Sequence, residues 1–330
     1  MGNQVKDRQK YLFIRILEAC NADCFMCEFA LSRDTYRFTP EAFEELLPQA
    51  EKAGVRVIRF TGGEPLMHRD IIELVRMGTR YGMLMSLITN GLHLPRRIEE
   101  LAAAGLAQIV VSLDGGSAAT HDLYRRSPGT FDAAVRGLRR AIELGIVTRV
   151  NTVVGPHNYT EMPQLQRVLI DLDVHQWELS ALKLSRSITY DDRENVLAVC
   201  EPLYGQDSHL VPLGKRFYGD TGHEQDAFFE HSLPPRASGP VCRVTEDVIY
   251  LDPKNGSAFP CGCLPHRKDD EGDGATATED GRILLDAPRF RSEKEYFRLN
   301  GPSVCQGCSA TASGYSDDVA RHGALPLWRY

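Results

Sequence analysis

Between residues 10 and 185 the chain alternates short aliphatic runs with longer stretches whose apolar residues recur every three or four positions. The runs YLFIRIL (11–17), VRVIRF (55–60), MLMSLIT (83–89), QIVVSL (108–113), TRVNTVV (148–154) and QWELSALKL (176–184) are β-branched or aliphatic and bounded by Gly, Asn or Asp. That pattern predicts strands. The stretches between them predict amphipathic helices. One opens at Thr39-Pro40-Glu41, with Thr as N-cap and Pro at the first helical position, and the others cover about 70–81, 95–104, 130–144 and 159–171. Gly54, Gly105 and Gly145 fall where helix C-termini are expected. Six strands, each followed by a helix or long loop, predict an α/β fold with a parallel sheet and helices outside. Six are too few for a closed eight-stranded barrel, so a curved, partly open barrel is the expectation and a doubly wound sheet the alternative.

The rhythm stops after residue 190. Residues 191–241 are rich in Asp, Gly, His and Pro and read as loops with room for one helix, making a linker or lid. A hairpin is predicted next, from VTEDVIYLD (244–252) through Pro-Lys-Asn-Gly to SAFPCG. The stretch 268–281 is polar, 309–330 has no strong pattern, and no internal repeat is visible. The organisation predicted is a core over 1–190, a linker or lid over 191–241 and a small C-terminal domain over 242–330.

Composition narrows the function classes. With 25% charged and 42% hydrophobic residues the chain reads as an ordinary soluble globular protein. A net charge of −7 over 330 residues argues against a general nucleic-acid binder. No apolar run approaches the ~20 residues of a membrane span. The polar opening MGNQVKDRQK shows no secretion signal, and Lys6 stands where a myristoylation signal wants Ser or Thr. The expectation is a cytoplasmic protein with no membrane or nucleic-acid partner.

Nine cysteines, an odd number, make a disulfide framework a poor reading. Three of them form Cys20-x3-Cys24-x2-Cys27 directly after the first strand. Three thiolates on one tight loop can take three corners of a four-iron–four-sulfur (4Fe–4S) cluster, leaving one iron without a protein ligand. A zinc site completed by a distant His is the alternative. A second motif, Thr61-Gly62-Gly63-Glu64-Pro65-Leu66, follows the second strand. Its glycines allow a ligand to approach the backbone closely, and Glu64 is placed to accept from an ammonium group.

The two motifs, each after its own strand, resemble the radical S-adenosyl-L-methionine (SAM) superfamily over roughly residues 10–185. The resemblance implies a partial (β/α)6 barrel and a SAM-binding 4Fe–4S cluster on Cys20, Cys24 and Cys27. It also implies chelation of the open iron by the methionine nitrogen and carboxylate of SAM, and cleavage to a 5′-deoxyadenosyl radical that abstracts a substrate hydrogen. The family's usual aromatic before the last cluster cysteine is here Met26, a flexible thioether able to touch adenine. Gly62, Gly63, Glu64 and Pro65 are carried over as SAM contacts. The strand C-termini add Ser86, Thr89 and Asn90, then Ser112 and Asp114, and Asn151 on the fifth strand. Arg125 is a candidate partner for the SAM carboxylate. A reductant such as flavodoxin or ferredoxin is the implied partner.

The later cysteines run Cys242-x18-Cys261-x-Cys263-x41-Cys305-x2-Cys308. A zinc ribbon-like site is one reading. The spacing also resembles the twitch extension of sugar-modifying radical SAM enzymes. That resemblance implies a second, auxiliary 4Fe–4S cluster on Cys242, Cys261, Cys305 and Cys308, with Cys263 free.

The sixth strand carries Glu178, Ser180 and Lys183, with Glu178 and Ser180 on one face. A carboxylate on an inward face has a function or a partner. Glu178 is the candidate base toward a substrate hydroxyl, Lys183 its neighbour in the site, and an ion pair to Arg149 or Lys183 the structural alternative. The lid offers His209, Lys215, Arg216, Tyr218, His223 and Glu224 for a substrate carboxylate, and Trp328 for stacking on a base. On a hydroxylated sugar three outcomes are open. A dehydrogenase needs an electron acceptor, an epimerase a thiol such as Cys263 or Cys200, and a lyase neither. The whole chain resembles the cytosylglucuronate decarboxylase family of blasticidin S biosynthesis. That implies a lyase acting on a sugar nucleoside by radical 1,2-diol dehydration with accompanying decarboxylation. An Fe–S or zinc scaffold protein is the non-enzyme alternative.

Overall fold

The computed structural model describes residues 10–182, 193–205, 210, 212, 248–259, 275–276, 278–279 and 282–285. Six strands form the core: β1 (Lys10–Leu17), β2 (Val55–Gly62), β3 (Leu84–Thr89), β4 (Leu106–Ser112), β5 (Val147–Val154) and β6 (Gln176–Ala181). Each lies parallel to the next in chain order. The expected strands are all present, within two residues of their expected starts. Around them run α1 (Pro40–Lys52), α2 (Ile71–Arg80), α3 (Leu94–Ala103), α4 (Ala118–Arg125), α5 (Thr130–Glu143), α6 (Met162–Asp171) and α7 (Arg193–Cys200). Thr39 caps α1 as expected, its side chain accepting from the Ala42 amide. Gly54, Gly105 and Gly145 follow α1, α3 and α5 with φ of +80°, +91° and +74°.

One helix exceeds the expectation, and another falls where a single helix was expected among loops. Helix α4 is N-capped by Ser117, and its buried residues are His121 and Tyr124. It therefore carries no aliphatic stripe for a hydropathy pattern to reveal. Helix α7 lies within the stretch expected to be linker or lid.

The row of strands continues past β1. Strand β7 (Val248–Asp252) pairs parallel with it, β8 (Ser257–Phe259) returns antiparallel through the Pro253–Gly256 turn, and β9 (Ala275–Thr276) pairs with β8. The expected hairpin is thus present over its described residues, and it extends the main sheet. Strands β10 (Thr278–Glu279) and β11 (Arg282–Ile283) make a separate small pair. Among the described residues the sheet is an open row ending in β6 and β9, consistent with a partial barrel.

The two faces differ in chemistry. Leu12, Ile14, Ile58, Phe60, Leu87, Ile109, Val111, Val150 and Leu179 are buried in the layer between strands and helices. The opposite face holds Arg59, Ser86, Gln108, Arg149 and Gln176, also buried. There Arg59 donates to Ser86 Oγ at 3.0 Å and to Gln108 Oε1 at 2.5 Å, and Gln108 donates to Gln176 Oε1 at 3.3 Å. The last bond joins β4 to β6 over β5, as a concave face does.

Candidate functional site

The cysteine loop leaves β1 at Leu17 and closes on itself. The Cys20 amide donates to Ser32 O at 3.0 Å, Leu31 to Ala22 O at 2.9 Å and Cys27 to Cys24 O at 3.1 Å. Cys20 is half-buried, Cys24 buried and Cys27 exposed.

The glycine turn after β2 grips the stem of this loop. Gly63 donates to Leu17 O at 3.0 Å and Glu64 to Ala19 O at 2.8 Å. A Cβ on Gly62 would stand 2.1 Å from Leu17 O, and one on Gly63 2.2 Å from Ala19 O. Any side chain there would displace backbone. The close approach these glycines allow is therefore to the cysteine loop itself.

Glu64 is fully buried, and its carboxylate accepts from the Leu66 amide, the Thr89 hydroxyl and the Asn90 amide at 2.7–2.9 Å. The Glu64 side chain thus ties the turns after β2 and β3 together. Of roughly four lone-pair sites on a carboxylate, three are taken, which leaves one for an ammonium group. Burial pushes its pKa up, against those bonds. Pro65 opens the short 3-10 turn that Glu64 caps. Asn90 donates to Asn21 Oδ1 at 2.7 Å, a contact into the cysteine loop that the sequence did not suggest.

Arg125 closes the far side. Its Nε donates to Asp114 Oδ2 at 2.5 Å, and its Nη1 points at Cys24 Sγ, 3.8 Å away. Burial disfavours the guanidinium charge, but Asp114 and Cys24 more than offset it, so Arg125 stays charged. Asp114 is fully buried; its Oδ1 accepts from the Val153 amide and its own amide donates to His121 Nδ1. Phe25 packs edge-on against Tyr124, ring centroids 5.0 Å apart, beside half-buried Met26.

The loop is suited to thiolate–iron bonding. Burial pushes the Cys20 thiol up to about 11, and Glu64, Cys24 and Cys27 add to the rise. Burial also raises the Cys24 thiol, partly offset by Arg125. The three sulfurs are close enough to feel one another's charge, and positive iron relieves that repulsion as it displaces the protons. Among the described residues no three His, Cys, Asp or Glu side chains converge on one point as a single ion requires. A cubane asks something different, since each thiolate binds its own iron. The donor set fits a three-cysteine cluster.

The other expected residues separate by level. Ser112, Asn151 and Glu178 pair in one register row across β4, β5 and β6, and all three are half-buried at the mouth. Ser86 lies deeper, fully buried, its hydroxyl bonded to Arg59 and Gln108. Glu178 is ion-paired with Arg149, whose Nε also donates to Asn151 Oδ1 at 3.0 Å. Cys200, a candidate hydrogen donor, is fully buried in the core behind the sheet, its thiol pushed up to about 12 by burial. Lys183, Cys242, Cys261, Cys263, Cys305 and Cys308 lie outside the described residues, as do the lid residues and Trp328. No helix among the described residues is long and apolar enough to cross a membrane.

Comparison with known proteins places this geometry. The AdoMet-dependent heme synthase of Methanosarcina barkeri is 32% identical over 146 residues, covering 43% of this chain and 42% of that protein. The GTP 3′,8-cyclase of Rhodopirellula baltica is 38% identical over 148 residues, covering 42% and 40%. The chain spans less than half the length of these curated relatives. Among solved structures, Streptococcus suis SuiB bound to S-adenosylmethionine superposes with a TM-score of 0.65 at 19% identity, over 93% of this chain and 72% of that one. Native anSMEcpe with bound AdoMet and a Cp18Cys peptide gives 0.62 at 16%, over 94% and 95%. At such identities the likeness shows the fold, an α/β architecture with a parallel sheet. The sequence model of the Radical SAM superfamily matches residues 14–169, from β1 through most of α6. That stretch holds the three-cysteine loop, the Gly62-Gly63-Glu64 turn and Arg125, and it is a Radical SAM superfamily domain.

Proposed function

We propose that this chain is a radical SAM enzyme acting on a hydroxylated sugar or sugar nucleoside, with cytosylglucuronic acid the compound to test first. The observation that carries the reading is the register row Ser112–Asn151–Glu178, which sets a half-buried carboxylate on the polar face of the sheet. The cluster and SAM, when bound, supply a 5′-deoxyadenosyl radical that removes a substrate hydrogen. Cys20, Cys24 and Cys27 would hold three of the irons. Gly62, Gly63, Glu64, Pro65, Met26, Asn90, Ser112, Arg125 and Asn151 would border SAM, and Ser86 would support that wall from below.

Glu178 takes the proton of a substrate hydroxyl. Its pairing with Arg149 holds it in place, and both groups are largely withdrawn from water. Lys183, two residues beyond Ala181 in sequence, adds positive charge for a substrate carboxylate. A reductant such as flavodoxin or ferredoxin delivers the electron that starts the cycle. The substrate's own oxidation level is unchanged. A 1,2-diol that has lost a hydrogen atom loses water to give a ketone beside a carbon radical. One electron from the same reductant and one proton turn that radical into a methylene, and the β-keto acid so formed loses carbon dioxide.

We further propose that residues 242–330 form a twitch-like domain with a second 4Fe–4S cluster on Cys242, Cys261, Cys305 and Cys308, joined to the 1–190 core by the 191–241 linker or lid. Reconstituted protein should then hold about eight irons per chain. Stoichiometric zinc with about four irons would leave the ribbon reading instead.

The deciding experiment is anaerobic incubation with SAM, dithionite and cytosylglucuronic acid, followed by mass analysis. A product lighter by water and carbon dioxide supports the lyase. Loss of two hydrogens would make it a dehydrogenase, and unchanged mass with one solvent deuterium an epimerase. Absence of 5′-deoxyadenosine with any of these sugars would overturn the enzyme reading.

A further inference from the structure

We propose that the β7–β8 hairpin, contributed by the chain more than two hundred residues after the cysteine loop, is the second half of the clamp that shapes that loop, and that Lys254 is its positioning residue. The proposal rests on the reading of Cys20, Cys24 and Cys27 as the cluster-binding residues.

Strand β1 has two neighbours, and each sends a turn to the loop that follows it. On the β2 side that turn is Gly62-Gly63-Glu64, bonded to the backbone of Leu17 and Ala19. On the other side β7 lies alongside β1 from Tyr11↔Val248 to Ile14↔Leu251. Its turn therefore emerges at the same end of the sheet as the cysteines. There Lys254 Nζ donates to Glu18 Oε2 at 2.5 Å and to Asp34 Oδ2 at 2.8 Å. Glu18 and Asp34 are the two stems of the loop, one just before Cys20 and one just after the Ser32 that accepts from the Cys20 amide. One ammonium thus joins the entry and the exit of the loop.

A second contact sits beneath it. Asp252, at the end of β7, pairs with Arg15 at 3.0 Å, both side chains less than a tenth exposed. Arg15 also donates to Glu18 Oε1 at 3.2 Å, and its guanidinium lies over the ring of Phe29, 5.0 Å from the centroid. Phe29 is two residues past Cys27. The hairpin therefore reaches the loop through Glu18, through Asp34 and, by way of Arg15, through Phe29. The glycine turn fixes only the first stem. Without the hairpin, the exit stem would lose its link to Glu18.

The chemistry predicts a local effect. Lys254 is 30% exposed and at a turn, so its removal leaves the core packing intact. Two partly exposed ion pairs together hold the stems by about fivefold in a local opening equilibrium. The test is hydrogen exchange in the full-length, iron-free chain, comparing wild type, Lys254→Met and Lys254→Arg. Expected for Lys254→Met is about fivefold faster exchange of the Cys20 and Leu31 amides at an unchanged melting temperature, with Lys254→Arg restoring protection. The same variants, reconstituted with iron and reduced, should lose the SAM-responsive electron paramagnetic resonance signal faster to a chelator in the Met chain than in the Arg chain. Glu18→Gln with Asp34→Asn should reproduce the Met result from the opposite side. Wild-type exchange at both amides in Lys254→Met would overturn the clamp, and so would a uniform acceleration across β2–β5. A chain with the expected exchange pattern but no SAM-responsive signal in wild type would leave the clamp standing and remove the cluster reading beneath it.

Discussion

The concave face of this sheet carries polar side chains at two levels, and they behave differently. In the lower level Arg59, Ser86 and Gln108 stand in one register row across β2, β3 and β4, closed off from water and bonded to one another and to Gln176. In the upper level Ser112, Asn151 and Glu178 stand in a row across β4, β5 and β6, half-buried. Arg149 lies between the two, bonded upward to Asn151 and Glu178. Both levels are polar for the same reason: the interior of a partial barrel is not filled by helices. Only in the upper one are the groups partly exposed. The lower level is a floor, in which a buried cation is held by neutral oxygens and burial depresses Arg59 to about 10.

The largest test of this division removes the upper site without touching the floor. Replacing Cys20, Cys24 and Cys27 together by Ala should abolish 5′-deoxyadenosine formation with SAM and dithionite. The melting temperature of the iron-free chain should stay close to wild type, because the floor and the helix-facing core are unchanged. Persistent SAM cleavage in that variant would break the assignment of the upper level as the site.

Next in size is Glu178→Gln. If the carboxylate is the base, turnover should fall by ~10²–10⁴-fold while SAM binding stays. If Glu178 serves only to neutralise Arg149, the variant should instead lose stability, by about 3–5 kcal/mol for a broken buried pair, with near-normal turnover in what remains folded. Thermal melts and turnover measured on the same preparation separate the two, and they decide whether the upper row is a site or a second floor.

How far the sequence carries this picture depends on which surface is asked about. The strands were legible because their helix-facing side is largely apolar, and the helices other than α4 because their stripes match it. The three-cysteine loop and the glycine turn were legible from spacing alone. What Glu64 binds was not, since its partners Thr89 and Asn90 come from a different loop. The pairing of β7 with β1 joins Tyr11 to Val248, and nothing local in either segment announces it. Register was the least legible feature. Ser86 and Ser112 are both serines on strands, but Ser112 ends β4 whereas Ser86 lies three residues before the end of β3. A shift of two inward positions moves a hydroxyl from mouth to floor.

The floor can be probed directly with Arg59→Met. Ser86 and Gln108 would lose a charged donor, and hydrogen bonds to a charged group are typically worth about 1.5–3 kcal/mol. Urea melts should show that loss. SAM affinity, read by equilibrium dialysis on the reconstituted chain, should not change, and a tenfold weakening would show the floor to be part of the binding site.

The smallest effect is also the finest discriminator, because it compares two residues of one type. Ser86→Ala removes a hydroxyl that donates to Gln108 and accepts from Arg59. It should lower stability by about 1 kcal/mol, the net value of a buried hydrogen bond, and leave SAM binding alone. Ser112→Ala removes a half-buried hydroxyl at the mouth, in the row with Asn151 and Glu178. It should leave stability within about 0.5 kcal/mol, as a substitution outside the packed core usually does. It should weaken SAM about five- to tenfold, equivalent to one neutral hydrogen bond of about 1 kcal/mol. The two variants should therefore exchange roles between a melt and a binding curve. If both shift the melt and neither shifts binding, Ser112 belongs to the floor and the mouth begins higher, at the loops that carry Asn90 and Arg125. If both shift binding, SAM reaches deeper into the barrel than the register row suggests, and Arg59 and Gln108 must be counted among the groups that receive it.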